Sequence, residues 1–166
     1  MPNIPFVTAP FITTEQMIEV DRAMIEDYKI LLIQMMENAG RNLADLARRR
    51  FLEGNPVRKR VIVLAGKGGN GGGGLVCARR LHNWGADVAV YLTTEDDDFS
   101  GIPAHQLDIL QQMKVTVHTQ EIPDMQPADL VIDAVIGYSL SGNPRGRAAV
   151  LINEANKLGQ RQNVPI

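Results

Sequence analysis

Six of the seven residues from Gly68 to Gly74 are glycine, and Asn70 is the one side chain among them. They follow a short apolar run, Arg60–Ala65, and open a stretch with helical spacing, Gly74–Trp84, in which Leu75, Cys77, Ala78 and Leu81 are apolar. A strand that enters a helix through glycines is suited to binding an anion. The helix N-terminus offers unpaired N–H groups and the positive end of the dipole, and residues without a Cβ let a phosphate reach the backbone. Gly66, Gly68 and Gly71 also satisfy G-x-G-x-x-G, whereas no Lys-Ser/Thr pair follows to make a Walker-type ATP loop. A plain turn needs fewer glycines, so the expected occupant of Gly66–Gly74 is the phosphate group of a dinucleotide. Asn70 is a candidate helix cap, and its amide oxygen is equally a candidate ligand for a cation or substrate.

A second segment with chemical potential is Val131–Gly146, VIDAVIGYSLSGNPRG. Asp133 falls near the carboxyl end of an apolar strand, where open α/β sheets place their ligand crevice. A lone aspartate there is commonly a cap or turn former. The loop after it supplies small, polar, backbone-exposing positions at Gly137, Ser139, Ser141, Gly142 and Asn143, and then a rigid turn with a cation, Pro144-Arg145-Gly146. Such a loop beside a carboxylate suits a sugar-phosphate or a hydrated metal ion.

The elements that must position these groups alternate. After an extended arm over residues 1–11, Thr13 with Gln16 forms a capping-box signature for a first helix, and a second runs from about Leu31 to Phe51 with Ile33, Met36, Ala39, Leu43 and Leu46 apolar. Strands are predicted at Arg60–Ala65, Asp87–Leu92, Lys114–His118 and Asp129–Gly137, with helices at Gly74–Trp84, Ala104–Met113 and Ala148–Lys157 between and after them. Strands alternating with helices imply a Rossmann-like three-layer α/β/α sandwich with a mostly parallel sheet, forming one domain over residues 1–166. Val164–Ile166 reads as the opening of a further strand, so the C-terminal part of the domain is expected to be missing.

Composition narrows the class. A formal charge of −2 argues against bulk nucleic-acid or membrane binding, and no stretch reaches the length of a membrane span. The single cysteine, Cys77, and the lack of a signal-peptide core fit a reducing, cytoplasmic setting. The basic clusters Arg48–Arg50 and Arg58–Arg60 are expected to be solvated faces, with phosphate or RNA contact as the sharper alternative. Trp84, Met35 and Met36 are expected in the core or at a dimer contact, Cys77 is expected to be buried and inert, and the three histidines receive no role.

Three segments together resemble the NAD(P)H-hydrate epimerases, which repair hydrated NADH and NADPH. LIQMMENAGRNLA (Leu32–Ala44) is similar to that family's second helix, AGKGGNGGGGLVCARRL to its phosphate loop, and DLVIDAVIGYSLSGNPRG to its Asp-Ala-x-x-Gly segment. The resemblance implies interconversion of the R and S hydrates at C6 of the reduced nicotinamide ring by a homodimer acting on a small-molecule substrate. It implies substrate contacts at Gly69, Asn70, Gly71, Gly72 and Gly73, and at Gly137, Tyr138, Ser139, Leu140, Ser141, Gly142 and Asn143. It further implies a potassium ion held by Asn70 and Asp133, with Asp133 as the acid/base or electrostatic anchor. The chain departs from the family pattern at Gly69, where the first asparagine stands, and at Gly73, where an acidic residue stands. A family Asp-x-Pro-Ser-Gly turn would follow the apparent last strand. Those departures motivate an alternative, a non-catalytic nucleotide- or RNA-binding scaffold module of the same fold. A third reading, an NAD-dependent oxidoreductase, is weaker because Asp87 is early and Glu95 late for the acidic ribose contact.

Overall fold

The protein is described by a computed structural model covering residues 11–119, 125–138, 140 and 142–166. The proposed arm over residues 1–11 lies, apart from Phe11, outside the described residues. The chain falls into two compact units, Met1–Leu31 and Leu32–Ile166.

In the first unit, helix α1 spans Thr14–Glu26. Its start follows the capping-box expectation: the Thr13 hydroxyl accepts from the Gln16 N–H, and the Gln16 side chain accepts from the Thr13 N–H at 2.8 Å. Arg22 gathers Glu19, Glu26 and Asp27 along one side of the helix.

The second unit contains α2 (Leu32–Arg50), β1 (Arg60–Ala65), α3 (Gly69–Asn83), β2 (Asp87–Leu92), α4 (Gly101–Gln112), β3 (Thr116–His118), β4 (Leu130–Ala134) and α5 (Gly146–Gln162). All four strands are parallel, in the order β3-β2-β1-β4. Strand pleating sends alternate residues to opposite layers. Val61, Val63, Val88, Val90, Leu130 and Ile132 pack with Ala44 and Ala47 of α2, Leu75 and Leu81 of α3 and Leu110 of α4. Ile62, Leu64, Ala89, Tyr91 and Val131 pack with Leu151, Ala155 and Leu158 of α5. The result is the three-layer α/β/α arrangement expected for alternating strands and helices. Among the described residues, no helix is long and apolar enough to cross a membrane.

Several boundaries differ from the sequence expectation. Helix α3 begins at Gly69 rather than Gly74, so the glycine run is the helix's first turns and not a loop before it. Tertiary packing overrides glycine's poor helix propensity there. On α2 the buried positions are Met36, Gly40, Ala44 and Ala47, while Ala39 and Leu46 are exposed. The small residues face inward because α2 and α3 lie too close for larger ones: a Cβ on Gly40 would stand 2.4 Å from the Val76 Cβ. Strands β3 and β4 are shorter than Lys114–His118 and Asp129–Gly137, α4 starts earlier, and α5 extends at both ends. Val164–Ile166 forms no strand, although the Val131 N–H donates to the Pro165 carbonyl at 3.0 Å.

Cys77 is fully buried, and burial pushes its thiol up to about 12, which leaves it unreactive. Met36 is buried, Trp84 is half-buried against the core, and Met35 is half-buried. Arg48 pairs with Asp45 and lies over the Trp84 ring, Arg49 also pairs with Asp45, and Lys59 and Arg60 pair with Asp129 and Asp87.

Candidate functional site

The chain leaves β1 for β2 on one side, and later returns to place β4 on β1's other side. The strand order therefore reverses between β1 and β4, and open α/β sheets bind ligands at the carboxyl edge of such a point. Both chemically promising segments lie there. Helix α3 starts just beyond β1, Asp133 is the penultimate residue of β4, and the Gly66 N–H donates to the Ala134 carbonyl at 3.1 Å, joining the two strand ends.

The glycines in this region do two different jobs. A Cβ on Gly66 would lie 2.0 Å from the Val135 carbonyl oxygen, and one on Gly71 would lie 1.6 Å from the Gly66 oxygen. Gly72 leaves room for the Met36 sulfur, and Gly74 leaves room for Ala134. These four positions are packing requirements. At Gly68, Gly69 and Gly73, by contrast, an added Cβ would meet nothing within 4 Å. The open positions leave the start of α3 accessible, and N-cap Gly68 supplies no side-chain cap to its N–H groups. Asn70 is therefore not the cap. It is exposed, and a Cβ on Gly137 would lie 3.3 Å from the Asn70 Cβ, so the structure brings the two candidate segments together at this pair.

Asp133 is exposed, and its Oδ1 accepts the Val135 N–H at 3.0 Å, a local turn that ends β4. Its turn-forming role and its second carboxylate oxygen are thus compatible. Tyr138 and Leu140 are half exposed, Asn143 is exposed, and Gly142 takes φ +76° beside the Arg145 guanidinium. Ser139 and Ser141 lie outside the described residues. Lys67, which the sequence reading passed over, sits exposed immediately before N-cap Gly68 and brings a cation to the turn. Its position between a strand and a glycine N-cap was the available signal.

Among the described residues, no group of three or more His, Cys, Asp or Glu is arranged to hold a metal. The donors on offer are the Asn70 amide oxygen and the Asp133 carboxylate. An all-oxygen set suits a hard cation such as potassium and not a thiolate- or imidazole-seeking metal. Two recesses among the described residues lie away from this turn: one of about 120 Å³ runs along α5 between Met125 and Arg161, and another of about 320 Å³ lies over Ile33, Gln34, Glu37 and Asn38 of α2. The glycine turn is an open ledge.

Two further positions escaped the sequence reading because their partners are distant. Arg147, at the start of α5, donates to the carbonyls of Leu92 at 2.5 Å and His118 at 3.3 Å, fixing that helix against the carboxyl ends of β2 and β3. Glu37 of α2 accepts from Arg79 and Arg80 of α3 and from the buried Gln106 of α4. Burial alone would raise the Glu37 carboxyl, but the hydrogen bonds from Arg80, Arg79 and Gln106 together hold it below the ordinary value of 4.5. The folded carboxyl therefore binds its proton less readily than the unfolded one. Its contribution to stability is complete above about pH 4.5 and is lost as pH falls below that value. The melting-temperature gap between wild type and Glu37→Gln is accordingly expected to be widest near pH 7 and to narrow toward pH 3; a gap independent of pH would refute the ionised pairing.

Comparison with known proteins follows the same segments. The family model described as YjeF-related protein N-terminus matches residues 32–165. A protein of Dehalogenimonas lykanthroporepellens named NAD(P)H-hydrate epimerase is 44% identical over 145 residues, covering 87% of this chain and 58% of that protein. The Bifunctional NAD(P)H-hydrate repair enzyme Nnr of Moorella thermoacetica is 36% identical over 93% of this chain and 30% of its own length. The crystal structure of yeast ynu0 superposes with a TM-score of 0.77 at 26% identity, covering 92% of this chain and 67% of that one. The chain thus spans little more than half of the Dehalogenimonas protein and under a third of the Moorella protein.

Proposed function

Since this chain belongs to the YjeF-related protein N-terminus family, we propose that it carries the substrate-binding and reacting core of an NAD(P)H-hydrate epimerase. The observation that carries the reading is the meeting of Asn70 with Gly137 at the β1/β4 switch point, which joins the glycine-built start of α3 to the loop after Asp133. The relatives named NAD(P)H-hydrate epimerase support it.

In this reading the open face of Gly68, Gly69 and Gly73 receives the substrate's phosphates on the free N–H groups of α3, with Lys67 beside them. Asn70 and Asp133 would hold a potassium ion, which supplies fixed positive charge next to the phosphates. Asp133 serves the ring. The C6 hydroxyl takes a proton and leaves as water, the ring nitrogen's lone pair stabilises the cation left behind, and water adds to the other face and gives up a proton. Bonds and protons balance without any change of oxidation state. A carboxylate beside C6 can relay that proton or stabilise the cation. Tyr138, Leu140 and Asn143, with Ser139 and Ser141, would line the sugar and ring. Action as a homodimer in the cytoplasm belongs to the same proposal. In the basic clusters cited for the RNA-scaffold alternative, Arg48, Arg49, Lys59 and Arg60 are paired with aspartates, whereas Arg50 and Arg58 are exposed.

The test is direct. Mixed R and S hydrates of NADPH are incubated in potassium buffer with a dehydratase that consumes the S form, using this chain and a version lengthened to match its relatives. Accelerated loss of the R form with either protein supports the epimerase. No acceleration over buffer from either folded protein would sink it.

A further inference from the structure

The first six residues of α3 include five glycines, Gly69 and Gly71–Gly74, and N-cap Gly68 provides no side-chain cap. Glycine is among the poorest helix formers, and an uncapped start is a further weakness. Local sequence therefore does not make this turn helical; its neighbours must.

Helix α2 packs directly on this turn. The Met36 sulfur fills the space beside Gly72, and Gly40 lies against the Gly73 carbonyl and Val76. One residue from Met36, Glu37 adds charge to this apolar contact. Its two carboxylate oxygens take the guanidinium groups of Arg79 and Arg80, and the Gln106 amide donates to Oε1 at 3.1 Å. A single carboxylate therefore ties α2, α3 and α4 together. The arginine partners are ten and eleven residues past Gly69, about 15–17 Å along the helix axis, so Glu37 acts through α3 and not on a ligand at its start.

We propose that Glu37 is a positioning residue for the substrate turn: by clamping α3 to α2 it keeps the glycine-built start helical and its N–H groups ready for phosphate. The proposal rests on the reading that Gly69–Gly73 receives the substrate's phosphates. When Glu37 is lost, the ready form of the turn is populated less, and apparent affinity falls by that fraction while the bound complex reacts as before.

The experiment measures amide exchange of residues 69–75, with KM and kcat for hydrated NADPH, in wild type, Glu37→Gln, Glu37→Asp and Asp45→Asn. Asp45 pairs with Arg48 and Arg49 within α2 and serves as the control. Glu37→Gln is expected to speed exchange in 69–75 about tenfold and raise KM about five- to tenfold, with kcat within about twofold of wild type. Glu37→Asp, which keeps the charge, should fall between them, and Asp45→Asn should match wild type. Unchanged exchange in 69–75, a lowered kcat at unchanged KM, or equally faster exchange throughout β1, β2 and β4 would overturn the proposal. Should Glu37→Gln not fold, Glu37→Asp decides by the same readings. Should wild type lack epimerase activity, the function reading fails separately, and the exchange measurement still decides whether Glu37 holds the turn.

Discussion

Gly71→Ala is expected to destabilise the fold by about 3 kcal/mol or more, while Gly73→Asp two residues away is expected to leave it intact or more stable. The alanine methyl would stand 1.6 Å from the Gly66 carbonyl oxygen and 2.5 Å from its carbon, both backbone atoms at the end of β1. No rotamer relieves such an overlap. Either β1 or the start of α3 must shift, and the proposed phosphate ledge shifts with it. At Gly73 an added Cβ meets nothing within 4 Å. There the substitution replaces a poor helix former and puts a negative charge near a helix N-terminus, together worth a few tenths to about 1 kcal/mol of stabilisation. Thermal unfolding checks the pair. A fall in melting temperature of about 6–12 °C is expected for Gly71→Ala and none for Gly73→Asp. Equal falls would show that the two glycines do not differ in role. Gly73→Asp also restores the acidic residue of the family loop, so its effect on turnover reports whether that residue is needed for chemistry.

Asp133→Asn is expected to reduce epimerisation by about a hundred- to ten-thousandfold with the fold unchanged. Asparagine keeps an Oδ1 that can accept the Val135 N–H, the bond by which Asp133 ends β4. What it removes is the negative charge, and with it, in the proposed mechanism, proton transfer, stabilisation of a ring cation and the stronger of the two proposed potassium donors. The measurement is the rate of R-to-S equilibration at several potassium concentrations, with melting temperature as the control for folding. Activity within a few-fold of wild type would reduce Asp133 to a turn former. A loss of activity that high potassium reverses would assign its main role to holding the ion.

Much of the architecture was legible along the chain. Alternating apolar runs and helical spacings announced a parallel sheet with helices on both faces, and the Thr13–Gln16 capping box marked the start of α1. The segments around Gly66–Gly74 and Val131–Gly146 announced themselves because glycine density and a carboxylate at a strand end are local signals. Harder to see was the inner face of α2. Hydrophobic spacing favoured Ala39 and Leu46, whereas close packing on α3 selects Gly40, Ala44 and Ala47 for smallness. Size complementarity between helices has no signature in hydropathy.

Residue order by itself determined the alternation of elements, the family segments, and the location of a glycine-rich turn and an aspartate at strand carboxyl ends, because each follows from preferences acting over a few neighbouring residues. Tertiary structure alone decided that β4 lies beside β1, so that Asn70 meets Gly137. It also separated Gly66, Gly71, Gly72 and Gly74, which must be small, from Gly68, Gly69 and Gly73, which stand open. Glu37 belongs to the same class, since its partners Arg79 and Gln106 are 42 and 69 residues away. Identical glycines in one run differ only in what the folded chain brings against them, and an ion pair across helices exists only once packing has set their distance.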